Sequence, residues 1–183
     1  MAIDRLFGTG VTVRMKWCET SGMVLSTSAS AQFAKIAEKF CRLVEEFARY
    51  EPLDWLALIA RELVPLETAV KGLTGRADIG EYSMLVDIEQ RHRMYVELKT
   101  FLGAMDDYWT EADLEAGDGV MTGSLSDNIT EIYFALKRGL ALWSKGPGDA
   151  GAAVDEWLSG FEVNWGYHLA KLQSQLKHKV TLH

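Results

Sequence analysis

Cysteine is scarce, with Cys18 and Cys41 the only two. They form no C-x-x-C pair and no secreted disulfide framework. Proline occurs three times, at Pro52, Pro65 and Pro147, so long helices meet few forced breaks. No apolar run approaches the roughly 20 residues that cross a bilayer, and no stretch of signal-peptide type opens the chain. Both absences predict a cytoplasmic protein with no membrane partner. Basic residues are outnumbered, 19 Lys and Arg against 26 Asp and Glu, for a net charge of −7. Nucleic-acid binding calls for a cationic face. The one basic cluster, Lys171, Lys177, His178 and Lys179, instead suits the last turns of a helix, where the macrodipole favours cations. No nucleic-acid partner is expected. Catalytic signatures are missing as well: no G-x-S-x-G, no P-loop, no G-x-G-x-x-G and no H-E-x-x-H. Neither a cofactor nor a metal is expected.

What the chain does have is helical periodicity over one domain's length. Phe33, Ile36, Ala37, Phe40, Cys41, Val44 and Phe47 recur at intervals of three and four, which predicts a first helix over about 30–49 with Cys41 buried and reduced. Pro52 suits the first turn of a second helix, carried on by Leu56, Ile59, Leu63, Leu66 and Val70. Pro65 is expected to kink or divide it, and Gly72 and Gly75 to close it. A third helix is predicted over about 80–105, with Leu85, Ile88, His92, Tyr95, Leu102 and Met105 inward and His92 a buried neutral histidine. Ser124-Leu125-Ser126-Asp127 has the spacing of a helix cap. A fourth helix follows with Ile129, Ile132, Tyr133, Leu136, Leu140 and Trp143 inward. Gly146-Pro147 ends it, and Asp149 caps a fifth that buries Val154, Trp157, Leu158, Phe161, Trp165, Leu169, Leu172 and Leu176. The fold class is therefore all-α, an up-and-down bundle of about five helices. It would occupy 29–183, after a leader at 1–28 that is peripheral or poorly ordered. In that leader Val11, Val13, Met15 and Trp17 alternate as in a short strand, Ser26 to Ser30 read as a loop and cap, and Met23 is an alternative start.

Asp106-Asp107-Tyr108-Trp109, then Gly123-Ser124-Leu125-Ser126-Asp127-Asn128-Ile129 with Ile132-Tyr133, then Trp165-Gly166-Tyr167-His168-Leu169, form a pattern that resembles the bacterial DUF5063 family. The resemblance spans about 30–178 and implies a small helical protein of unknown function. Asn128 and Glu131 stand where that family tends to carry Asp, and Asn164 where a His is usual.

Three groups of residues could carry chemistry. Asp127 and Glu131 are four apart, as are Asn164 and His168, so each pair shares a helix face. Should the fourth and fifth helices pack antiparallel, the pairs would meet. Carboxylate and imidazole together suit acid–base work or a divalent ion, although the Glu-x-x-His motif of di-metal bundles is missing. The acidic stretch 106–118 lacks EF-hand spacing and reads as a solvated loop. Within it Tyr108 and Trp109 are either a protein-contact surface or a plug pinning the loop to the bundle. The clustered carboxylates of an all-α nucleotide pyrophosphatase are not matched by Glu38, Glu45, Glu46, Glu62 and Glu67, which alternate with Lys39 and Arg42. The residues expected to bind are thus Asp106, Asp107, Tyr108, Trp109, Asp127, Glu131, Trp165 and His168. The leading expectation is a non-enzymatic interaction or regulatory domain whose partner is another protein, with a homodimer conceivable. The alternative is a small-molecule- or metal-binding enzyme that uses the acidic residues and His168.

Overall fold

The computed structural model describes residues 19–77, 87–108 and 123–181. The chain is all-α. Helix α1 spans Glu19–Glu45, α2 Pro52–Lys71, α3 Ile88–Leu102, α4 Leu125–Trp143, α5 Ala150–Gly160 and α6 Gly166–Thr181. A π-helical turn, Phe161–Trp165, joins α5 to α6 without a break, so the described residues form five long rods. Two short strands, β1 (Asp107–Tyr108) and β2 (Gly123–Ser124), pair antiparallel, with Asp107 opposite Ser124 and Tyr108 opposite Gly123. Among the described residues no helix is long and apolar enough to cross a membrane.

Helix α4 is the central rod and packs on α1, α3, α5 and α6. Its stripe of Leu125, Ile129, Ile132 and Leu136 is fully buried. Against it, Phe33 meets Trp157 edge-on with ring centroids 4.7 Å apart. Each buried indole N–H finds a carbonyl: Trp55 donates to Leu43 O at 2.9 Å, Trp157 to Leu136 O at 3.1 Å and Trp165 to Trp157 O at 3.1 Å. Aromatic bulk therefore enters the core without orphaned donors. Cys41 is buried and free, and burial pushes its thiol far above the ordinary value, so it stays protonated.

Four local expectations need correction or narrowing. Helix α1 begins at Glu19, and 26–30 lies inside it rather than in a loop. Extending a formed helix adds a hydrogen bond per residue, while Ser and Thr cost only a few tenths of a kcal/mol each. The alternating segment 11–17 lies outside the described residues. Pro65 does not divide α2. The carbonyl it deprives of a donor belongs to Arg61, and both residues are exposed, so water can serve it. Helix α3 is rotated from its expected face. Arg91, Leu98 and Leu102 are buried, whereas Ile88 is 57% exposed and His92 is exposed, not a buried neutral histidine. On the buried face the Arg91 guanidinium meets the Glu131 carboxylate, and Leu98 and Leu102 enter the core beside it. Asp106, placed with the solvated loop, is fully buried. The rest of that stretch from 109 lies outside the described residues.

The π-turn has a local cause. Gly166 N–H reaches back to Phe161 O, and a Cβ at Gly166 would lie 2.4 Å from that same oxygen. Only glycine permits the approach, although its φ of −62° is ordinary. Gly166→Ala gains about 1 kcal/mol of helix propensity and loses more by forcing the turn open. A net loss of about 1–2 kcal/mol is expected in a thermal melt. A variant more stable than the parent would show that the close approach is not needed.

Candidate functional site

The polar residues collect where α3, the strand pair, the first turns of α4 and the π-turn converge. Ser124 caps α4 by accepting the Asp127 N–H at 3.1 Å, as its spacing predicts. The buried Asp106 carboxylate lies against the same helix end. It accepts Ser126 N–H at 2.7 Å, Ser124 Oγ–H at 2.8 Å and Ser126 Oγ–H at 3.0 Å. A carboxylate at a helix N-terminus also meets the positive end of the dipole. Lys99 stands 3.9 Å from Asp106 and 3.5 Å from the half-exposed Asp107.

One turn further on, Asn128 sets the chemistry of the cluster. Its amide nitrogen donates to Ser124 O at 2.8 Å and to Tyr108 OH at 2.7 Å. A carbonyl can only accept, so the Asn128 Nδ2 is fixed on that side and Oδ1 must face the other way. Oδ1 lies 2.9 Å from His168 Nδ1. The imidazole must therefore carry its proton on Nδ1, which leaves Nε2 with a lone pair when the ring is neutral. Burial lowers the His168 pKa below its ordinary value, against the pull of Asp127 and Glu131, and so favours that neutral form.

Two carboxylates face the ring. Asp127 Oδ2 is 4.0 Å from His168 Nδ1, and its side chain is 56% exposed against 17% for the histidine. The surrounding protein pushes the Asp127 carboxyl up, His168 pulls it down, and the neighbouring Glu131 and Asp106 charges push it further up. Glu131 behaves oppositely. Burial raises it, but hydrogen bonds from Arg91 and from Asn164 Nδ2 at 2.8 Å outweigh that and hold it ionised below the usual range. Arg91 is itself only 7% exposed, so the Arg91–Glu131 pair ties α3 to α4 inside the bundle. The cluster thus offers a tautomer-locked neutral imidazole, a titratable half-exposed carboxylate and a rigid ion-paired wall.

Of the expected site residues, Asp106, Tyr108, Asp127, Glu131 and His168 come together. Tyr108 is 6% exposed and lies over Gly123, where a Cβ would come within 2.1 Å of its ring, so it pins its segment to the bundle and is not a contact surface. Asp107 points to the rim beside Lys99. Trp165 belongs to the core, fully buried with its ring centroid 4.8 Å from that of Phe161. Trp109 lies outside the described residues. Sequence reasoning passed over Arg91, which reads as one more charge on a solvated helix. It also passed over Ser126, whose hydroxyl lies inside the cap that Ser124 announces. Asn128 stands out in the sequence only as a departure from the family pattern, whereas Asn164 is already paired with His168 by its spacing. The i, i+4 spacing of Asn128 to the cap residue Ser124 is the signal that could have found it. Among the described residues no group of three or more His, Cys, Asp or Glu side chains is arranged to hold a metal ion.

Comparison with known proteins agrees with the helical fold. The model of the family described as "Domain of unknown function (DUF5063)" matches residues 25–181. The crystal structure of protein BF1032 from Bacteroides fragilis is similar, with a TM-score of 0.66 at 19% identity over 81% of this chain and 90% of that one. At that identity the likeness concerns the fold alone. No curated protein matches the chain.

Proposed function

The chain belongs to the DUF5063 family, whose function is unknown, and from that premise we propose that it is a cytoplasmic ligand-binding domain whose site is the His168–Asp127 cluster. The observation that supports it is the fixed tautomer. Asn128 holds the Nδ1–H, so Nε2 is an acceptor, and no hydrogen bond to a described residue engages it. The half-exposed Asp127 carboxylate is a second acceptor, and Glu131 adds a second negative charge nearby, itself paired with Arg91. Two acceptors in an acidic setting call for a ligand that presents donors, a small protonated amine being the simplest. Such a ligand needs Asp127 ionised and His168 neutral, so binding weakens as pH falls through the range where either takes up a proton.

The test is nitrogen-detected NMR of the His168 ring with and without a linear diamine. The free protein should show a neutral Nδ1–H ring that protonates below the ordinary histidine value of about 6.5. Asp127→Asn should lower that midpoint further, because it removes a charge that favours the imidazolium. With the folded pKa depressed, the unfolded chain binds this proton more readily, so His168 costs stability as pH drops below about 6.5. Diamine should shift the ring resonances saturably, and far less in Asp127→Asn. An Nε2–H tautomer, or resonances indifferent to diamine, would rule the reading out.

A second reading, an interaction or regulatory domain with a protein partner, draws on exposed apolar groups. Tyr167 is 64% and Val163 40% exposed, one turn apart on the rod that carries His168. On α3, Ile88 and Val96 are exposed at 57% and 45%. A homodimer through these groups would appear as a concentration-dependent mass in sedimentation, abolished by Tyr167→Glu.

A further inference from the structure

A cleft of about 430 Å³ opens between α1 and α2, away from the His168 cluster. The volume lies in the range of small-molecule sites. The two helices return on each other through the 3-10 turn Phe47–Arg49, which sets one end of the cleft. Leu43, Leu58 and Tyr50 supply an apolar and aromatic lining, and five charged residues supply the rest.

The charges are not evenly committed. The two carboxylates of the lining already have cations. Lys39 Nζ lies 2.7 Å from Glu62, which is 8% exposed, and Arg49 Nη1 lies 3.1 Å from Glu46. Arg42 and Arg61 also line the cleft, and neither makes an ion pair or hydrogen bond through its guanidinium with any described residue. In a chain of net charge −7, this is a local concentration of available positive charge with its counter-charges neutralised. A guanidinium fork matches a planar carboxylate or a phosphate, and two forks on one cleft suit a dianion.

We infer that this cleft binds a small phosphate monoester, with the phosphate on Arg42 and Arg61 and a flat apolar body on Tyr50, Leu43 and Leu58. The inference does not rest on the His168 reading, because the two sites share no residue and carry opposite charge.

The experiment is titration of the full chain with phenyl phosphate, inorganic phosphate and phenol, followed by calorimetry and by the Tyr50 resonances. The parent should bind phenyl phosphate saturably, and inorganic phosphate or phenol more weakly. Arg42→Gln/Arg61→Gln should weaken phenyl phosphate at least about tenfold, the loss expected for two charge-assisted contacts. Its unchanged circular dichroism melt would show that the fold is intact. Phenyl phosphate bound equally by parent and double variant would overturn the inference, as would no saturation in the parent. Vesicles carrying a phosphate-monoester lipid headgroup complete the set. Sedimentation of the protein with those vesicles, without phenyl phosphate binding, would assign the anion to a membrane and overturn the small-molecule site.

Discussion

Gly139→Ala should melt about 6–12 °C below the parent chain, a loss of about 3 kcal/mol for a domain of this size. The position lies inside α4, one turn before its last residue Trp143, where alanine would ordinarily gain about 1 kcal/mol over glycine. Here the added Cβ would stand 2.0 Å from Trp157 Nε1 and 2.4 Å from two further indole atoms. The indole has nowhere to go. It donates to Leu136 O, meets Phe33 edge-on and lies 6.1 Å from the Trp143 ring. Overpacking of this kind costs about 1–3 kcal/mol. Breaking the indole hydrogen bond and burying its donor adds about another 1–2 kcal/mol. Together these exceed the propensity gain. Trp157→Phe in the same background should recover part of the loss, a coupling that only direct contact produces. A melt of Gly139→Ala within about 2 °C of the parent would mean that α4 and α5 do not meet through this glycine.

That contact illustrates which parts of the molecule could be read from the chain. Trp157 and Gly139 each sit on helices announced by apolar spacing, and Trp157 is in the core as its period predicts. The pairing of Asp127 and Glu131 with Asn164 and His168 was legible too. Two i, i+4 pairs on neighbouring helices need only the right packing to meet, and Asn164 does reach Glu131 while His168 stands beside Asp127. What could not be read depends on partners far along the chain. Arg91 turns inward because Glu131, forty residues later, supplies the counter-charge. Leu98 and Leu102 are buried on the same face, which leaves Ile88 and His92 on the outside. The π-turn has no periodic signature, because it rests on one missing Cβ at Gly166. It allows Asn164 and Trp165, adjacent in sequence, both to be buried. π-turns of this type recur at functional positions.

Asp106 would have the largest effect of any residue in the polar cluster. Asp106→Ala should cost about 3–5 kcal/mol, since it removes three hydrogen bonds to a charged acceptor at a position with no solvent access. Ser124 and Ser126 are 2.8 Å apart and can still bond to each other, but the Ser126 N–H would be stranded at the start of α4. Asp106→Asn keeps one acceptor for that N–H, and the serine hydroxyls can turn to accept from its amide. It should cost about half as much in denaturant or thermal unfolding. Equal losses for the two variants, or none, would mean that the carboxylate is not holding the helix end. The consequence extends to the imidazole. Ser124 O is the group that fixes the orientation of the Asn128 amide, and Asn128 fixes the His168 tautomer. Asp106→Asn, with α4 still capped by Ser124, should leave His168 predominantly Nδ1–H. Asp106→Ala should loosen Ser124 and raise the Nε2–H population in the same NMR measurement. A tautomer unmoved by a variant that is clearly destabilised would separate the cap from the cluster, and Asp106 would then serve the fold alone.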